Sequence, residues 1–86
     1  MEIRIEPHTL IRANERGASE DEIKQVLNVG LKIPVSKNRF AKSIVFNFNS
    51  IWNNKFDEQK KIDVIYTIDN NLIVTVTVYV FYGKWE

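Results

Sequence analysis

The period of apolar and polar positions changes along the chain, and each change marks an element. In MEIRIE (1–6), Ile3 and Ile5 alternate with charged neighbours, which predicts a short, half-buried edge strand. Pro7 cannot extend a central strand but suits a first helical turn. The stretch LIRANER then carries strong helix formers up to Gly17, a natural stop, so a helix is predicted over about 7–16. The next segment, ASEDEIKQVLNVG, has Ser19 and Glu22 at capping-box spacing and an acid-rich first turn. Ile23, Val26, Leu27 and Gly30 follow at helical spacing, predicting a second helix that buries one stripe and ends near residue 29 or 30.

Beyond this point LKIPVSKNR holds a proline and little periodicity, and reads as an extended connection. FAKSIVFNFN then alternates, with Ile44, Phe46 and Phe48 on one face, as a strand does. After a polar turn region, NSIWNNKFDEQ, the segment KKIDVIYTI alternates again and aligns Ile62, Val64, Tyr66 and Ile68. Asp69-Asn70-Asn71 forms a tight turn, since Asn and Asp tolerate the left-handed backbone such turns need. Strict alternation in the last strand puts Leu72, Val74, Val76, Val78, Val80 and Tyr82 toward the helices. It puts Ile73, Thr75, Thr77, Tyr79 and Phe81 on the other side. The predicted fold is α+β: two short N-terminal helices packed on a three- to four-stranded antiparallel sheet, as one domain over 1–86.

Composition narrows the chemistry more than it narrows the fold. Eighty-six residues suffice for a single modest core, and 44% hydrophobic with 27% charged residues is ordinary globular usage. The absence of cysteine removes disulfides, thiolate metal sites and cysteine nucleophiles. It is compatible with a reducing cytosol, and a cytoplasmic location is expected. The N-terminus lacks the apolar run of a signal peptide, and no stretch has the roughly 18 to 20 apolar residues of a membrane span. The net charge of +1 hides an uneven distribution: residues 31–61 carry seven basic and two acidic groups, a local +5. That segment, with Lys37, Arg39 and Lys42 in VSKNRFAK and Lys55, Lys60 and Lys61 beyond it, could meet phosphates or simply decorate a solvated hairpin.

His8 is the single histidine. On a helical wheel His8, Arg12 and Arg16 fall at about 160°, 200° and 240° from Leu10, so they share one face away from the core side. A solvated polar face is the plain reading of that spacing; a shared anionic ligand is the other. Free N–H groups in a first helical turn attract anions, and a neutral imidazole there is a competent proton acceptor. This suits metal-free RNA cleavage, in which a base removes the 2′-OH proton while cations hold the phosphate. One histidine cannot be both acid and base; Arg12, Lys37, Arg39, Tyr79 or water would complete the set. Thr75, Thr77 and Tyr79, spaced two apart, are expected on one side of the last strand. There they would serve phosphate binding and base stacking, or merely form a wet strand face. Trp52 and Trp85 sit in polar surroundings, as partly buried core contributors or as stacking groups. With one histidine and scattered carboxylates, a metal-dependent mechanism is disfavoured and no cofactor is expected.

The order His8, Arg12, then ERG at Glu15 to Gly17, then S-x-x-E-I-x-x-V-L, and a last strand reading IVTVTVYVFYGKW, resembles the small RelE-like proteins related to BrnT toxins. The likeness extends over almost the whole chain. It implies a fold akin to the barnase, EndoU, colicin and RelE group of metal-independent ribonucleases, whose members occur in toxin–antitoxin pairs or as toxin modules. By that resemblance the leading histidine falls on His8, the helix arginines on Arg12 and Arg16, and the strand hydroxyl on Thr75 or Thr77. Lys37 and Arg39 are the nominated basic positions of the middle hairpin. RNA and a cognate antitoxin protein are the partners it implies; a protein-binding module on the same fold is the rival expectation.

Overall fold

Both predicted helices form, and their ends are fixed by the residues that signalled them. In the computed structural model, which describes residues 1–85, α1 spans Pro7–Arg16 and α2 spans Glu20–Val29. Pro7 supplies the preset φ of a first turn. Gly17, at φ +90°, ends α1 in the left-handed conformation while the Ala18 N–H donates to the Ala13 carbonyl at 2.8 Å. The capping box of α2 is complete: the Glu22 N–H donates to Ser19 Oγ at 3.1 Å, and the Ser19 N–H donates to Glu22 Oε1 at 2.9 Å. At the far end the Lys42 ammonium donates to the Leu27 carbonyl at 2.8 Å, adding a cation where the helix dipole favours one.

The sheet is larger than the sequence predicts, and mixed rather than antiparallel. Its strands are β1 (Glu2–Arg4), β2 (Leu31–Ile33), β3 (Phe40–Trp52), β4 (Lys55–Asp69) and β5 (Leu72–Gly83), in the spatial order β1-β5-β4-β3-β2. Leu31–Ile33, expected as a connection, pairs antiparallel with β3, and β1 lies parallel to β5 with Ile3 opposite Ile73. Only Ile5 and Glu6 separate β1 from α1, so the direction of β1 follows from where α1 must begin to lay Leu10 and Ala13 on the core. The polar turn expected within 49–59 shrinks to Asn53-Asn54. Both of these residues have positive φ, as do Asn70 and Asn71 in the next hairpin, the requirement of two-residue type I′ turns.

Ile23, Val26 and Leu27 of α2 and Ala13 of α1 pack on Ile62, Val64 and Tyr66 of β4 and on Ile73 and Val78 of β5. Ile73 and Val78 are five positions apart, so strict alternation cannot bury both. A bulge resolves this: Ile65 pairs with Thr77 and Tyr66 with Thr75, leaving Val76 as the extra residue. The helix side of β5 is therefore Ile73 and Thr75, then Val78, Val80 and Tyr82. Leu72 and Val74, expected on that side, lie on the other, and Thr75 does not share a face with Thr77 and Tyr79. No helix of the described residues is long and apolar enough to cross a membrane.

Candidate functional site

Past Val74, β1 ends and β5 loses its strand partner on that side. The α1 helix runs along the vacated edge, and its polar face turns out to serve it. His8 Nε2 lies 2.8 Å from the Val76 carbonyl, the residue displaced by the bulge, and the Arg16 guanidinium donates to the Val78 carbonyl. A carbonyl only accepts, so Nε2 carries a hydrogen, and in the neutral ring Nδ1 is left as a bare acceptor on an exposed side chain. Arg12, one turn from each, is exposed and enters none of the ion pairs among the described residues. His8, Arg12 and Arg16 thus form one strip, but only Arg12 is wholly uncommitted.

Arg16 also lies over the Tyr79 ring, 5.5 Å from its centroid, which ties the helix strip to the outer face of β5. Tyr79 and Phe81 stack at 6.5 Å and are both about half exposed. Thr77 faces the same way and is half-buried opposite Ile65. Thr75 is different. At 2% exposure it accepts from the Glu6 N–H at 2.9 Å and donates to Thr9 Oγ1 at 3.0 Å, so its hydroxyl locks the entry of α1 to the sheet and cannot meet a phosphate. Lys37 and Arg39 lie in the connection between β2 and β3, and β3 is separated from β5 by β4. They are exposed but not assembled with His8.

Beyond Arg16 the edge opens into a cleft of about 420 Å³ between the end of α1, the tip of the β3–β4 hairpin and β5. Glu15, Arg16, Trp52, Tyr79, Val80 and Phe81 are among its walls. Trp52 stacks on Tyr82 at 5.7 Å and 15°, so it is a wall of this cleft as well as a packing residue. Trp85, more than a third exposed, takes no part in it. The Tyr82 hydroxyl donates to the Arg16 carbonyl at 2.7 Å, and burial, aided by Glu22 and Asp57, raises its pKa above the ordinary tyrosine value. Lys60, 8% exposed, donates to the Gly17 carbonyl at 2.8 Å and to Glu22 at 3.0 Å, fastening the same corner.

Neither the Val76 carbonyl and the bulge nor the contribution of Glu15, Phe81 and Val80 is visible in the alternation of residues along the chain. The one signal available was the odd spacing of Ile73 and Val78, both of which a core would claim. Among the described residues no element covers the opposite face of the sheet; there Leu31, Ile33, Val45, Ile65, Tyr79 and Phe81 surround a Ser43–Asp63 hydrogen bond of 2.6 Å. The chain matches no protein-family model, no curated protein and no solved structure.

Proposed function

We propose that this chain is a small RelE-like protein that cleaves RNA by attack of the 2′-oxygen on the adjacent phosphorus, with His8 as the base. The observation that carries the reading is the His8–Val76 hydrogen bond, which holds the ring in the tautomer whose free nitrogen accepts a proton one helical turn from an uncommitted arginine. In the reaction His8 Nδ1 takes the 2′-OH proton, the new O2′–P bond forms and the P–O5′ bond breaks. The departing 5′ oxygen takes its proton from water, and a 2′,3′-cyclic phosphate remains. Arg12, with the free N–H groups of Arg16, would hold the phosphate oxygens. Tyr79 would flank the reacting nucleotide, and Thr77, Lys37 and Arg39 would contact a longer strand beyond it. A cognate antitoxin that covers the α1 strip is the partner this reading implies, and a reducing cytoplasm its setting.

Purified protein in excess chelator should cleave single-stranded RNA. His8→Ala should lower the rate by about 10²-fold or more, with stability changed by no more than about 1 kcal/mol since solvent can replace an exposed hydrogen bond. Arg12→Ala should lower the rate while leaving stability untouched. Intact RNA at high protein concentration, or cleavage that survives His8→Ala, would sink the proposal. A second reading, a non-catalytic protein-binding module, is favoured by the uncovered sheet face, where Leu31 is 78% exposed and Val45 40%. Its mark would be a stable complex lost on Leu31→Lys and unaffected by His8→Ala.

A further inference from the structure

Val78 presents its carbonyl to Arg16 on the open side of β5. Because outward-pointing residues alternate along a strand, the N–H and C=O of Val80 point the same way. Among the described residues no strand lies on that side of Val80. Its backbone donor and acceptor are therefore left without a strand partner where Val80 lines the 420 Å³ cleft, a volume within the roughly 300–1,000 Å³ of small-ligand sites. Flat rings stand around them: Trp52 from the hairpin tip, and Tyr79 and Phe81 from the outer face. Glu15 adds a carboxylate acceptor and Arg16 the remaining donors of its guanidinium fork.

Three kinds of occupant fit an open strand edge, and the surroundings separate them. An added peptide strand needs a run of free backbone groups, but the Val76 and Val78 carbonyls are already taken by His8 and Arg16. What remains, Val80 to Tyr82, is at the lower limit of a strand, about three residues. A bare phosphate would be repelled by Glu15 and would leave the aromatic walls unused. A planar ring with adjacent hydrogen-bond donors and acceptors on its rim uses all of these groups at once.

We infer that this cleft is a nucleobase pocket, in which Val80 reads the rim of a base held between aromatic side chains, while the attached phosphate extends along α1 toward Arg12. The inference rests on the RNA reading above and gives it a substrate subsite. It also assigns Trp52 and Phe81 a binding role that the His8 strip alone does not require. Arg16, bridging the Val78 carbonyl and the Tyr79 ring, positions both the strip and the pocket.

The test is an amide and side-chain NMR titration of the intact protein with the four nucleoside 5′-monophosphates, and with ribose 5-phosphate as a probe lacking the base. At least one nucleotide should shift the Val80 amide and the Trp52 indole, and ribose 5-phosphate should not. Tyr79→Leu and Phe81→Leu, both surface changes, should each weaken that nucleotide by about fivefold or more, the low end of base stacking on aromatic residues. Ribose 5-phosphate shifting Val80 as strongly as the nucleotides overturns the inference, as does nucleotide binding indifferent to both substitutions. A capped Val-Thr-Val peptide that occupies Val80 and is not displaced by any nucleotide also overturns it, because the edge would then take a strand. Nucleotides bound at Val80 by a protein that leaves RNA intact uphold the pocket and sink cleavage. RNA cleaved by a protein that binds no nucleotide at Val80 does the reverse.

Discussion

The two halves of β5 are held in place by different means. Up to Val74 the strand has backbone partners on both sides, β4 and β1, and at Thr75 its one buried polar side chain is satisfied by Glu6 and Thr9 inside the protein. From Val76 onward the β1 side is open, and side chains do the work: His8 and Arg16 on strand carbonyls, Tyr82 on the carbonyl that ends α1. An edge strand with unpaired carbonyls is a template for unwanted pairing, so polar groups laid along it have a structural purpose before any chemical one. Hence a cluster that reads as a functional face must be divided. His8 keeps one nitrogen free, Arg16 keeps part of its fork, and Arg12 keeps everything.

The second half of β5 meets the end of α1 at Gly17. A Cβ built there would lie 2.1 Å from the Tyr82 hydroxyl and 3.3 Å from the Trp52 ring, on a backbone with φ +90°. Left-handed backbone costs a non-glycine residue about 1–2 kcal/mol and overpacking about 1–3. Gly17→Ala should therefore lower unfolding free energy by roughly 2–5 kcal/mol in urea titration, with its chemical-shift changes gathered at Tyr82 and Trp52. A loss below about 1 kcal/mol would mean that this corner is not tightly fastened.

The next contrast isolates the bulge. Thr75→Val keeps the shape but leaves the Glu6 N–H and the Thr9 hydroxyl without their partner, at a cost of about 1–3 kcal/mol. Thr77→Val, two positions along the same strand but on the other face, should change stability by no more than about 0.5 kcal/mol. Equal effects at the two threonines would restore the regular alternation that the bulge interrupts. Activity should follow the opposite order if Thr77 lies along the RNA path, because Thr75 touches only protein.

These threonines also mark where sequence reading stopped. Helix boundaries were legible because Pro7, Gly17, Ser19 and Glu22 act on the backbone within a few residues of themselves. Alternation located β3, β4 and β5 for the same reason, and Asn70-Asn71 announced its own turn. The face that each residue of β5 presents depends on a register set by distant neighbours, and apart from the odd spacing of Ile73 and Val78 nothing around Thr75-Val76-Thr77 betrays an extra residue. Likewise β2 has only Leu31 and Ile33 to signal a strand, and its pairing comes from Ala41 and Ser43 across the gap. Within the candidate site, the His8, Arg12 and Arg16 strip followed from helical spacing alone. The carbonyls that two of them serve, and the distance that separates Lys37 and Arg39 from them, are products of the sheet.

The smallest expected effect tests whether the second half of β5 is also the more sensitive to pH. Tyr66 and Tyr82 both have pKa values raised above the ordinary tyrosine value of about 10, Tyr66 by burial and Tyr82 by burial with added repulsion from Glu22 and Asp57. A raised folded pKa means that the folded state holds its proton more tightly than the unfolded state. The stabilisation is thus fully present below about pH 10 and is lost as pH rises through the higher folded values. Tyr82→Phe removes the hydroxyl that donates to Arg16, at about 1 kcal/mol near neutrality. It should also flatten the fall of melting temperature on the alkaline side of about pH 10. Tyr66→Phe should flatten it as well, since its pKa is raised too, but without disturbing the Arg16 and Gly17 amides. If alkaline melting is equally steep with and without the Tyr82 hydroxyl, its ionisation does not govern the corner where α1 meets β5, and that corner is fastened chiefly by Arg16 on the Val78 carbonyl and Lys60 on the Gly17 carbonyl.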